Sequence, residues 1–364
     1  MPGVKKMMEY QGRLIDMIDS MCDGKDVLFH SVRDVKDIMT CDVKTLTLDD
    51  SIETCLEVMT VNNIRHVPIV DTSTKNDKSY FVGIVSQRDV FRQLSPFFDK
   101  VGQEDTDTRA LNQHLEKIVT RHPKCASPDT PIQEATGMMV NNRIDSIPVL
   151  DDGDLVGIVT ATDVLKLFIR LRAIGLLCEN KNKTEPRRRF IDLLSGDSEE
   201  AINVLSTVLR TVEDVMTRDV VCLTERDHLS GVMKVMRRGV FRHVPVVNKE
   251  GKIVGIISDR DVLRLLPYRQ GPRKSQTGVF REDLFDVEPD EPVVRELISR
   301  VMNQSVIHVR PDCDFYDAVK MLHDKRIGCL PVVDEEKKVL GIATVTDVMR
   351  GLLAAYVLFE KTLS

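Results

Sequence analysis

The eight cysteines of this 364-residue chain include no C-x-x-C pair and no companion histidines at zinc-binding spacing, so they read as reduced thiols of a cytosolic protein. No apolar run approaches the roughly 18 uninterrupted residues that a membrane span requires. Charges also break the apolar positions of the opening MPGVKKMMEYQGRLIDMID, unlike those of a signal peptide. A basic surplus is missing as well: the formal net charge of -6 provides no chain-wide field to attract nucleic acid. Among catalytic motifs, G-x-x-x-x-G-K-[ST], H-E-x-x-H and G-x-S-x-G do not occur, and the eight histidines are dispersed. The expectation is a cytoplasmic, non-catalytic protein that binds neither nucleic acid nor membrane.

What is present is an ordinary globular balance, 42% apolar and 30% charged, on a chain long enough for two or more cores. One pattern recurs four times. Each copy opens on an apolar-Met-Thr-like segment, continues through a short strand and an amphipathic helix, and passes a proline, Pro68, Pro148, Pro245 or Pro331. It closes on GIVSQRD, GIVTATD, GIISDRD or GIATVTD. The helices show in their apolar spacing: Ile52, Cys55, Leu56, Met59 in the first copy, and Ile132, Ala135, Met139 in the second, where Thr136 is the exception. The third copy has Leu229, Val232, Met233, Met236, and the fourth Phe315, Ala318, Val319, Leu322. Runs such as VPVVNKEGKIVGII predict a hairpin after each proline, and the closing Ser or Thr opens a second helix. Each unit is thus β-α-β-β-α. Pro68 and Pro245, like Met39 and Met216, stand 177 residues apart, so the chain repeats by halves.

These motifs resemble the CBS module family, named for cystathionine beta-synthase, over residues 34–94, 115–170, 212–267 and 297–353. The resemblance implies an α/β (α+β) fold of four modules in two tandem Bateman pairs, forming a pseudo-twofold disc, with an architecture like the gamma subunit of AMP-activated protein kinase. Residues 1–33 then form a helical extension, 171–211 a linker carrying Arg187, Arg188 and Arg189, 268–296 a connector, and 354–364 the end of a C-terminal helix.

The resemblance further implies adenosine-nucleotide sites (AMP, ADP or ATP) in the clefts between paired modules. Asp89, Asp163, Asp261 and Asp347 would accept hydrogen bonds from a ribose. Ser86, Thr160, Ser258 and Thr344, with Thr162 and Thr346, would contact ribose or phosphate near a helix N-terminus. The same Ser/Thr-x-x-Asp is also a helix capping box, which alone would explain its four occurrences. Arg65 and Arg242, three residues before their prolines and followed by His66 and His243, are candidate phosphate ligands. Asp145 and Gly328 take that place in the second and fourth copies, with Arg143 and Arg326 two residues earlier. An acid near a phosphate is unfavourable, so occupancy is expected to be asymmetric. The opening threonines Thr40 and Thr217 match a position near the nucleoside, where the fourth copy has Asn303.

The function implied is a nucleotide sensor that signals to a protein partner, with a scaffold of empty clefts or an S-adenosylmethionine sensor as alternatives. A monomer with an internal pseudo-dimer and a homodimer are both compatible with the sequence.

Overall fold

The computed structural model describes residues 33–72, 80–94, 111–179, 209–239, 241–264 and 297–363. The extension before residue 33, the Arg187–Arg189 stretch and the connector 268–296 lie outside the described residues.

In the first module a helix α1 (Ile52–Val61) leads to an antiparallel hairpin, β1 (His66–Asp71) and β2 (Tyr80–Ser86), and then to α2 (Gln87–Leu94). A two-residue strand β3 (Thr120–Arg121) precedes the second module, α3 (Ile132–Asn142), β4 (Ser146–Asp151), β5 (Asp154–Thr160) and α4 (Ala161–Glu179). The third comprises β6 (Leu223–Thr224), α5 (Leu229–Gly239), β7 (His243–Val247), β8 (Ile253–Ser258) and α6 (Asp259–Leu263). A single turn α7 (Ile298–Val301) opens the fourth, followed by α8 (Phe315–Asp324), β9 (Cys329–Val333), β10 (Val339–Thr344) and α9 (Val345–Leu363).

The expected first strand of each unit shrinks to parallel contacts: the bridges Leu46–Ile69, Ala126–Val149 and Val309–Val332, and the β6–β7 pair. The four hairpins share one irregularity, a register shift between the first and second residues after the proline. Helix α4 continues to Glu179, nine residues into the expected linker, because the sequence after Arg170 carries no proline and stays helix-compatible until the polar ENKNK.

The predicted helical stripes are the core. Ile52, Cys55, Leu56 and Met59 are buried, as are Leu229, Val232, Met233 and Met236, and Phe315, Ala318, Val319 and Leu322. In α3, Ala135 and Met139 are buried and Ile132 packs against them. The exceptional Thr136 is buried too, its hydroxyl donating to the Ile132 carbonyl at 2.8 Å.

Each module's opening segment packs not on its own module but on its pair-mate. Thr40 exchanges backbone hydrogen bonds of 2.9 Å with Ile158 of module 2, and Thr217 does the same with Ile342 of module 4. In the reverse direction β3 pairs with β2, and Asn303 pairs with Ile256. This crossing explains the glycine of the repeat. A Cβ on Gly157 would stand 2.6 Å from Met39 Sδ, on Gly255 2.2 Å from Met302 Sδ, and on Gly83 2.4 Å from the Thr120 carbonyl oxygen. The crossing strand therefore lies flat on a residue that has no side chain.

Two hydrophobic clusters result, and each spans both halves of the chain. One joins module 1 to module 3 through residues such as Leu56, Val90, Met233 and Val262. The other joins module 2 to module 4 through Met139, Leu165, Phe315 and Met349. The halves thus face each other, α2 against α6, and α3 and α4 against α8 and α9.

Candidate functional site: a shared basic centre beside four capped helices

In every module the residue three before the proline is tied to the start of the second helix. The carbonyls of Arg65, Asp145, Arg242 and Gly328 accept from the first helical amides, those of Gln87, Ala161, Asp259 and Val345, at 2.8 to 3.2 Å. The side chain at that position is thereby held beside Ser/Thr-x-x-Asp.

The Ser/Thr-x-x-Asp segment itself forms a complete capping box in copies one, three and four and half of one in copy two. The backbone amides of Ser86, Thr160, Ser258 and Thr344 donate to Asp Oδ2 at 2.8 to 2.9 Å, and their hydroxyls donate to the same oxygen. In three copies the Asp amide donates back to the hydroxyl at 3.2 to 3.4 Å. The first helical amide is already engaged, so few N–H groups remain for an anion and a phosphate must rely on side chains. In α6 even the Arg260 amide is taken, by Asp259 Oδ1 at 2.9 Å.

Capping occupies one oxygen of each carboxylate, and the other distinguishes the copies. Asp347 Oδ1 accepts from Thr217 Oγ1 at 3.2 Å and from Arg350 Nη1 at 3.0 Å. Asp261 Oδ1 lies 3.5 Å from Arg264 Nη1. Asp89 Oδ1 and Asp163 Oδ1 have no polar partner among the described residues. Burial raises the Asp163 carboxyl above its ordinary pKa, against hydrogen bonds from Thr160. The Thr217–Asp347 bond places an opening threonine beside a ribose-type carboxylate, and Thr40 occupies the equivalent register next to Ile158. Thr40, Thr217 and Thr162 are exposed, and Thr346 is half-buried on the first turn of α9.

The four equivalent positions converge. Arg242 of module 3 forms an ion pair with Asp145 of module 2, both largely buried. Gly328 of module 4 lies under the ring of His243 of module 3. A Cβ there would meet His243 Cε1 at 2.4 Å, with Arg65 Nη2 of module 1 only 3.6 Å away. Burial and the neighbouring Arg242 depress the Arg65 pKa, while Asp259 and Asp145 oppose the shift. Burial likewise drives His66 down to about 4 and His243 to about 3, so both rings are neutral at pH 7. Burial disfavours the Asp145 carboxylate, but the guanidiniums, Arg242 foremost and then Arg65, outweigh it and hold its pKa below the ordinary value.

Two further arginines join this centre. Arg88 is depressed by burial and by Arg242. Arg260 is lowered to about 10 by burial and then by Arg65, and its Nη1 reaches Asn63 Oδ1 of module 1 at 3.4 Å. The sequence reading did not select Arg88 or Arg260. Their signal is the Arg-Asp dipeptide, which ends the closing motif only in copies one and three, the copies that also carry Arg-His. Asp259 was likewise missed; burial raises its pKa against the attraction of Arg242 and Arg65. Arg143 and Arg326 are exposed in left-handed turns (φ 54° and 53°) and do not replace the arginines that copies two and four lack.

The centre thus gathers four guanidiniums and two neutral imidazoles against two carboxylates. Anion binding is the chemistry this arrangement offers. Among the described residues no cluster of His, Cys, Asp and Glu could hold a metal ion, and no helix is long and apolar enough to cross a membrane.

Comparison with known proteins places the chain. The CBS domain model matches residues 35–96, 115–170, 212–268 and 286–354. Protein MJ1225 of Methanocaldococcus jannaschii is 29% identical over 230 residues, 63% of this chain and 69% of that protein. Its crystal structure, proposed as an archaeal homolog of g-AMPK, superposes with a TM-score of 0.65 at 21% identity, covering 88% of this chain and 99% of that one. MJ1404 of the same organism is 25% identical over 318 residues, 87% of this chain, which spans 61% of that relative. At this identity the structural likeness establishes the fold.

Proposed function

Because the chain belongs to the CBS-domain family, we propose that it is a non-catalytic regulatory protein that binds adenosine nucleotides and passes their occupancy to a protein partner. The observation that carries this reading is the basic centre. Arg65, Arg88, Arg242 and Arg260 are drawn together from two modules far apart in sequence, beside Ser/Thr-x-x-Asp carboxylates that retain an oxygen. A scaffold has no use for such a concentration of buried positive charge, which costs stability unless an anion compensates it.

In this reading a nucleotide sits along the seam of a pair. Its ribose diol donates to the uncapped oxygen of Asp89, with Asp163 offering the same geometry on the other side of the pair. Its phosphate meets guanidiniums, which suit phosphate oxygens as bidentate donors. Asp347 and Asp261, whose second oxygens face Arg350 and Arg264, require those side chains to move first and bind more weakly. Because Arg65 and Arg88 come from one half and Arg242 and Arg260 from the other, a phosphate there biases the packing of one half on the other. A partner that senses this packing must, by linkage, alter nucleotide affinity in return.

Thermal unfolding of the purified chain with AMP, ADP, ATP, S-adenosylmethionine and GMP tests the reading. A ligand at one hundred times its dissociation constant adds roughly 2.7 kcal/mol of stability. The reading requires an adenosine-specific rise that shrinks in Asp89→Ala, with the rise compared against each variant's own baseline, since losing the cap costs about 1 kcal/mol by itself. No rise with any adenosine compound sinks it.

A further inference from the structure

The pseudo-twofold relation between the halves makes Arg65 the counterpart of Arg242 and Gly328 the counterpart of Asp145. The two arginines meet opposite fates. Arg242 is paired with Asp145, a carboxylate from the other half of the chain. Arg65 faces Gly328, where that carboxylate has no equivalent, and its guanidinium makes no ion pair or hydrogen bond among the described residues. Asp259 acts on it through space but makes no direct ion pair with it, and its Oδ1 accepts from the Arg260 amide. Arg88, on the adjoining turn of α2, is equally without a polar partner among the described residues.

An unpaired, largely buried guanidinium is costly, and the cost is relieved by an incoming anion. A paired one gains nothing from a ligand phosphate unless its internal partner withdraws. We propose that Asp145 is an internal stand-in for a ligand's anionic group: it closes the half-site at Arg242, so that the centre takes one phosphate-type anion, at Arg65, where Gly328 offers no carboxylate. The identity of the rest of the ligand rests on the nucleotide reading above; the anion, its number and its place do not. Asp145 is then a specificity-determining residue supplied by module 2 to a site built on module 3.

Calorimetric titration of the full chain with AMP, adenosine and inorganic pyrophosphate tests this. The wild type should bind one pyrophosphate, and one AMP whose affinity exceeds that of adenosine at least tenfold; Arg65→Gln should abolish both the pyrophosphate site and the preference. Asp145→Asn, which keeps the side chain's shape, should add a second phosphate-dependent equivalent. Two equivalents in the wild type would overturn the proposal without recourse to any variant, as would one equivalent that survives Arg65→Gln. A well-folded Asp145→Asn protein still binding a single equivalent would do the same. Pyrophosphate binding through Arg65 with no response to AMP or adenosine leaves this inference standing and removes the nucleotide reading. AMP binding that ignores Arg65 does the reverse, and silence toward all three ligands removes both.

Discussion

The two faces on which the halves meet are built from the same repeat and do opposite work. Modules 1 and 3 meet through short helices, α2 and α6, and their shared centre is crowded with arginine and histidine. Modules 2 and 4 meet through long ones, α4 and α9, of 19 residues each, with Phe168 edge-on to Phe315 at 5.9 Å and tilted on Tyr316 at 6.2 Å. Where copies one and three carry Arg-Asp in the closing motif, copies two and four carry Thr-Asp. Of the two faces built from this repeat, one is thus a charged site and the other an apolar one.

That division puts the largest loss on truncation in the apolar face. Phe315→Ala, at a site 3% exposed, should cost about 3–5 kcal/mol in urea unfolding, while anion affinity of the folded protein stays within a factor of two. Arg242→Ala attacks the charged face and strands Asp145. It should cost about 2 kcal/mol, less than a fully buried pair because both side chains keep some exposure, and Asp145→Asn in the same chain should restore most of it.

Acid sharpens the contrast without a substitution. His66 and His243 titrate at about 4 and about 3 in the folded chain against about 6.5 unfolded, so between pH 6.5 and 5 the unfolded state binds more protons. Stability therefore drops as the pH is lowered through that range, by up to about 1.4 kcal/mol per histidine per pH unit, and His66→Asn should remove part of the slope. Asp163 and Asp259, raised by burial, pull the other way at lower pH, so the histidine effect is read above pH 5. The smallest effect belongs to a single cap: Ser258→Ala should cost about 1 kcal/mol in thermal unfolding.

The division into modules, their helical stripes and their hairpins were legible because each is written in local periodicity: Met59, Met236 and Leu322 are buried where the spacing of apolar residues put them. The capping boxes and the Arg-His pairs were visible as motifs. What could not be read was which surface receives which. The apolar-Met-Thr opening signals burial, but Met39 gives no hint that its cover is Gly157 of the next module rather than something in its own. Arg88 carries no mark in SQRD beyond the Arg-Asp dipeptide, and only the packing of α2 on α6 brings it to the centre. The long reach of α4 was hidden because the polar stretch that ends it lies well past the last module residue.

The crossed openings decide what can be cut from this protein. A lone module would expose the glycine on which its mate's strand lies and would extend a strand with nothing to cover. The smallest piece that keeps these crossing strands covered is therefore a pair, and because each apolar cluster is completed by the other half, a second pair must in turn cover the first.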